Sequence, residues 1–118
     1  MRKTEYKNFK SPDEVRTFEK GKIEFLNIGD NVVGLATLEP GWRWSLYVKE
    51  IARTDLCEIT HFQYQISGRL RIALENGEEF ETRPGQVTYL LPGHDAWVVG
   101  HEPSVVLEWL GAKDYAKY

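Results

Sequence analysis

Cys57, the only cysteine among 118 residues, precedes His61 by four positions. Gln63 and Gln65 follow at alternate places in the stretch from Asp55 to Gly68, DLCEITHFQYQISG. Read with a period of two, Cys57, Ile59, His61, Gln63 and Gln65 share one face, and Glu58, Thr60, Phe62, Tyr64 and Ile66 share the other. A strand buried for packing alone would carry Val, Ile or Leu inward, because unpaired amides and imidazoles are costly to desolvate. The equipped face therefore predicts a polar cavity. A thiolate and an imidazole are also ligand types that Zn, Fe, Ni and Cu accept. The competing reading makes Cys57 a small buried hydrophobe and His61 a hydrogen-bonded core residue.

Such a strand needs a sheet around it, and the flanking sequence supplies one. A chain of this length suffices for one domain, 1–118, with a real core. Four Trp, six Tyr and five Phe suit a β-rich core and an aromatic-lined pocket. Ser11-Pro12-Asp13-Glu14 reads as a helix start, with Ser11 as N-cap and Gly21 as terminator, predicting a short helix over about 12–20. A barrel is then expected over about 22–110. KIEFLNIG turns Ile23 and Phe25 inward and passes through Gly29-Asp30-Asn31 into VVGLATL as a paired strand. After Glu39-Pro40-Gly41, WRWSLYVKEIARTD has no clean period and reads as a long loop edged by a strand. RLRIAL sets Leu70, Ile72 and Leu74 on one side, and Asn76-Gly77 marks a hairpin. Turns at Arg83-Pro84-Gly85, Pro92-Gly93-His94-Asp95 and His101-Glu102-Pro103 separate VTYLL, AWVVG and SVVLEWL, with Trp109 assigned to the core. The tail, 111–118, reads as a solvated terminus or an arm. About nine short strands with frequent turn signals argue an antiparallel sandwich or barrel. A lipid-carrier barrel or an immunoglobulin-like sandwich would share that pattern, but neither explains a polar inner face at His61.

A net charge of −3 and a pI near 5.6 leave no basic footprint for a phosphate backbone, so nucleic acid is not expected as a partner. The longest apolar runs are far too short to span a membrane. The segment MRKTEYKNFK lacks the apolar core of a signal peptide, and one cysteine makes no internal disulfide, so a cytoplasmic protein is expected. No Ser-His-Asp ordering, Gly-rich phosphate loop or nucleotide fingerprint occurs.

The spacing of glycines and turn residues from about residue 35 to 110 resembles that of the cupins, small jelly-roll barrels that bind a metal or small ligand in the lumen. Their first motif is a His-x-His pair, three or four residues, a Glu, six residues and a Gly. Aligned on Gly68, this places His61 at the family's Glu, Cys57 at its second His and Asp55 at its first. Their second motif is a Gly, five residues, Pro-x-Gly, two residues and a His. Aligned on Gly85, Pro92-Gly93 is retained, but Leu91 stands at the motif's proline and Ala96 at its histidine. The strings PGWRWS, YQISGRL and PGHDAWVVG are similar to those of small single-domain bacterial cupins.

The resemblance implies an all-β cupin-like double-stranded β-helix with a short N-terminal helix, and a homodimer. It brings His94 to the mouth of the barrel, so that Cys57, His61 and His94 become the candidate ligands of one divalent metal ion, Zn, Fe, Ni or Cu. Asp55 is a further ligand candidate, though an Asp before a strand is more often a turn residue. Asp95 is placed to orient His94, unless the two point apart. Trp44, Tyr47 and Trp97, with Gln63 and Gln65, would line the open end as a ligand-binding wall. The expected function is small-molecule binding in a barrel able to hold a divalent metal. The alternative is a metal-dependent enzyme, an oxygenase, isomerase or relative, acting on a small polar organic substrate.

Overall fold

A computed structural model of the chain describes residues 3–110. Nine strands occur among them: β1 (Glu14–Phe18), β2 (Gly21–Ile28), β3 (Asn31–Leu38), β4 (His61–Ser67), β5 (Arg69–Leu74), β6 (Glu79–Thr82), β7 (Val87–Leu90), β8 (His94–Val99) and β9 (Ser104–Leu110). They form a six-stranded sheet in the order β1-β2-β3-β9-β4-β7 and a three-stranded sheet in the order β6-β5-β8. Every pairing is antiparallel. The last strand enters between β3 and β4, so the sheet is laced by long crossovers, as in a jelly roll.

The two sheets close on a shared core because each strand alternates. Ile23 and Phe25 on β2, Ala36 and Leu38 on β3, Leu70 and Ile72 on β5, and Val106 on β9 are all buried. A polar node also joins the sheets. Gln65 on β4 donates to the Ser67 and Gly68 carbonyls and to Ser104 Oγ on β9, and accepts from Thr82 Oγ1 on β6. With all its capacity used, this buried amide stabilises the closure and leaves no costly orphan.

The predicted helix over 12–20 is corrected to a strand. Asp13 accepts from the Asn27 backbone and from Lys7, and its own N–H donates to the Phe25 carbonyl, tying this segment to the edge of β2. β1 then pairs with β2 around a two-residue turn, Glu19-Lys20, with Lys20 at φ 62°. Turn residues that usually announce such a hairpin, Asn-Gly or Asp-Gly, are missing here. Helix instead occurs in the stretch read as a loop, as α1 (Trp44–Tyr47) and α2 (Lys49–Ala52), closed by Arg53 in the left-handed region. No local side chain caps α1. Its early N–H at Ser45 is accepted by Asp95 of β8, which also takes Ser45 Oγ and Arg43 Nε. Sequence periodicity does not register a cap supplied from fifty residues away. Trp109, expected in the core, is 43% exposed and packs against Phe62 on the outside. The tail lies outside the described residues.

Gly68 makes the tight step from β4 to β5 at φ 68°. A Cβ there would collide with the Pro103 carbonyl oxygen and lie 2.7 Å from Ser104 Cα. Gly68→Val is therefore expected to cost about 2–4 kcal/mol, combining left-handed strain with a displaced backbone. Chemical denaturation checks this, and an unchanged midpoint would contradict it.

Candidate metal centre

The segment before β4 is positioned by backbone pairing, though outside any regular strand. The Cys57 N–H donates to the His94 carbonyl at 2.8 Å, and the Gly93 N–H donates to the Cys57 carbonyl at 2.8 Å. This isolated bridge clasps Cys57 to the start of β8, so the thiol turns inward before the regular strand begins at His61. The strand expected to start near Asp55 is shorter by that much. On β4 the predicted alternation holds: His61, Gln63 and Gln65 are buried, while Phe62 and Ile66 are exposed.

Cys57, His61 and His94 converge, with one potential ligand atom from each and all three atoms within 4.8 Å of one another. Cys57 Sγ lies 3.5 Å from His61 Nε2, and the two imidazoles meet edge to face with centroids 5.2 Å apart. His94 Nδ1 donates to the Leu91 carbonyl at 2.8 Å, which in the neutral ring leaves the lone pair on Nε2. His61 Nδ1 lies 2.7 Å from Glu108 Oε1, an ion pair by distance though not aligned as a straight hydrogen bond. Each ring is thus held at Nδ1, the arrangement by which carboxylates and carbonyls orient metal-binding histidines. A soft thiolate with two borderline imidazoles fits a divalent transition metal, with a position left for an exchangeable ligand.

These residues line a partly open cavity of about 40 Å³, together with Trp42, Trp44, Gln63, Ala96, Glu108 and aliphatic side chains of both sheets. Of the expected ligand-binding wall, Trp44 and Gln63 are present in the lining and Gln65, Tyr47 and Trp97 are not. Gln65 is committed to the inter-sheet node. Tyr47 packs against the core from its edge, and Trp97 faces outward under the Arg43 guanidinium, 4.2 Å from its ring. Trp42 takes the inner place instead. Asp55 is almost fully exposed beside Lys49, far from a ligand role, and Asp95 serves α1 and not His94. Glu108, which sequence reading passed over, sits in register between Gly34 and Gln63 on the inner face of β9, beside a β-bulge.

Solved structures share this architecture. An oxalate decarboxylase of Bacillus subtilis superposes with a TM-score of 0.60 at 24% identity, covering 87% of this chain and 29% of that one. A sugar phosphate isomerase from a cupin superfamily, from Silicibacter pomeroyi, gives 0.54 at 21%, covering 76% and 58%. The fold is of the cupin type. A protein of unknown function from Acidithiobacillus ferrooxidans gives 0.58 at 16%, covering 81% and 86%. The chain spans 29% and 32% of the length of two oxalate decarboxylases it resembles. No protein-family model and no curated protein matches it. In this cupin-type barrel His94 stands two residues before Ala96, on the same inner face of β8, so an imidazole is supplied one step earlier along the strand than in the cupin motif.

Burial alone would push the His61 imidazole down, but the Glu108 carboxylate and the Cys57 sulfur outweigh it and raise its pKa to about 10. Burial would push the Cys57 thiol up, but hydrogen bonds with His61 and His94 bring it down to about 7. Their effects on stability have opposite signs. His61, raised from 6.5, contributes stability present at low pH and lost as pH rises toward 10; Cys57, lowered from 9.0, contributes stability present at high pH and lost as pH falls through 7. Between about pH 7 and 9 the two slopes oppose each other. Metal-free wild type is expected to show a nearly flat denaturation midpoint across that window. Cys57→Ser removes one of the groups that raise His61 but leaves Glu108, so the remaining His61 slope stands uncovered and stability should fall as pH rises above the ordinary imidazole range. A flat profile in the variant would refute the coupling.

Proposed function

We propose that this cupin-type protein binds a small molecule at a single divalent metal ion held by Cys57 Sγ, His61 Nε2 and His94 Nε2. The observation that carries this reading is the pair of Nδ1 anchors, Glu108 on His61 and the Leu91 carbonyl on His94, which direct both remaining ring nitrogens toward the one buried thiol. Two imidazoles buried only for packing would need no such convergence. The same donor set argues for Zn, Fe, Ni or Cu over Mg or Ca, which favour oxygen. Whether the bound molecule is also transformed depends on the ligand that enters the open position; the metal would supply Lewis acidity there.

Untagged protein purified without chelator is expected to carry roughly one equivalent of transition metal, and chelation should lower its melting temperature. His61→Ala should abolish stoichiometric metal, while Cys57→Ser should weaken it and shift preference toward harder ions. Metal retained at one equivalent in a Cys57→Ser, His61→Ala, His94→Ala triple variant would overturn the ligand assignment.

The expected homodimer also has a proposed place. Phe62, Tyr89 and Trp109 stack on the outer face of the six-stranded sheet, next to exposed Ile66 and Val87 on β4 and the edge strand β7. An apolar patch beside an edge strand that pairs on one side only among the described residues suits a second copy of the sheet. Sedimentation should give a dimer that Phe62→Asp converts to monomer; a wild-type monomer at high concentration contradicts it.

A further inference from the structure

Two residues that line the cavity each carry a buried polar atom with no hydrogen-bond partner among the described residues. Trp42 Nε1, a donor, and Glu108 Oε2, an acceptor, are both buried without a hydrogen-bond partner, and both residues line the cavity beside the three candidate ligands. Orphans of this kind are costly, and one of each type in one small chamber calls for an occupant that offers an acceptor and a donor together.

Size and charge narrow the occupant further. A water needs roughly 10–15 Å³ of such space, so a chamber of about 40 Å³ that must also admit the ion leaves room for a molecule of no more than about three non-hydrogen atoms. The described side chains that line it include four ionisable ones, Cys57, His61, His94 and Glu108. With a divalent ion bound, its two positive charges are matched by the Cys57 thiolate and the Glu108 carboxylate, and both imidazoles are neutral as ligands. An anion entering this cavity among buried, mostly apolar side chains would add an uncompensated charge of low solvation, whereas an uncharged molecule would not.

We propose that the chamber selects an uncharged, protic molecule of about three non-hydrogen atoms, bearing a carbonyl-type or hydroxyl oxygen and an N–H or O–H, with Glu108 as the specificity-determining residue. Glu108 has two functions on this view. Its Oε1 holds His61, and its Oε2 accepts the donor of the bound molecule while Trp42 Nε1 donates to its oxygen. Gln63, directly opposite Glu108 in the β4–β9 register, completes that wall. The proposal rests on the metal reading above.

Formamide and formate test it, since they match in size and differ in charge and in the donor. The protein is loaded with Co(II), whose thiolate charge-transfer band reports the metal on Cys57 and whose visible bands report a changed ligand. Absence of the thiolate band would overturn the metal reading and the proposal with it. With the band present, formamide should saturate the visible change at a concentration at least tenfold below formate. Acetamide should bind more weakly than formamide, and benzamide should not bind. Glu108→Gln keeps an oxygen for His61 Nδ1 but removes the negative charge, and should shift the preference toward formate by at least tenfold. Trp42→Phe keeps an aromatic side chain but removes the indole N–H and opens some space, and should weaken formamide several-fold without strengthening formate, with the thiolate band intact. Formate binding as tightly as formamide in wild type would overturn the selectivity while leaving the metal site standing, as would a preference unmoved in Glu108→Gln.

Discussion

The backbone bridge between Cys57 and His94 is the constraint on which the centre depends. Residues 57–60 precede the regular part of β4 and have no ladder of their own. Three backbone hydrogen bonds fix Cys57 against the opposite sheet: its N–H donates to the His94 carbonyl, and its carbonyl accepts from the Gly93 N–H and, at 3.4 Å, from the His94 N–H. The bridge therefore does two things at once. It sets a thiol and an imidazole from distant parts of the chain side by side, and it links the six-stranded sheet to the three-stranded one at the end where the cavity lies. Gln65 makes the corresponding polar link deeper in the barrel, to Ser104 and Thr82. Between these two fastenings the aliphatic core supplies most of the closure, through burial of residues such as Ile23, Phe25, Ile72 and Val106.

Much of the fold is legible in the sequence wherever a strand buries one face and its turn carries its own chemistry. Gly29-Asp30 and Asn76-Gly77 lie at the tips of hairpins, with Gly29, Asp30 and Gly77 all at positive φ. Periodicity fails where the deciding contact is distant. Ser11 to Glu14 carries every local mark of a helix start, yet Asp13 is claimed by Asn27 and the segment becomes an edge strand. Trp44–Tyr47 carries no local cap and becomes helical because Asp95 caps it from β8. In both cases a single carboxylate, engaged across the fold, outweighs local propensity worth only tenths of a kcal/mol per residue.

The candidate site divides along the same line. Cys57, His61 and Gln63 could be placed together because they share a parity in one stretch, and His94 followed from the glycine framework of the cupin motifs. Glu108 could not, because in SVVLEWL the residues Val105, Leu107 and Trp109 look like the core face and Ser104, Val106 and Glu108 like the solvent face. The structure inverts this: Ser104, Val106 and Glu108 are buried and Trp109 is half exposed. An inward face that looks onto a polar lumen carries a surface-like composition, so hydrophobicity alone assigns it to the wrong side. The available signal was pairing and not composition: a strand placed beside β4 must present an acid or amide to match His61 and Gln63.

The charge arrangement explains why such a costly set of groups is held in the interior. A buried carboxylate and a thiol of lowered pKa beside it are unfavourable without positive charge nearby. In the metal-free protein the His61 imidazolium, raised to about 10, supplies one such charge and serves Glu108 and Cys57 together. A divalent ion on the same three ligand atoms would supply two charges and release the His61 proton at Nε2, leaving Nδ1 with its proton facing Glu108. The carboxylate would then face a neutral imidazole polarised by the metal and not an imidazolium, with Nδ1 still the atom nearest Glu108. An anchor at Nδ1 would therefore serve His61 with or without a metal, and the buried Trp42 and Trp44 beside it would keep the same walls in both cases.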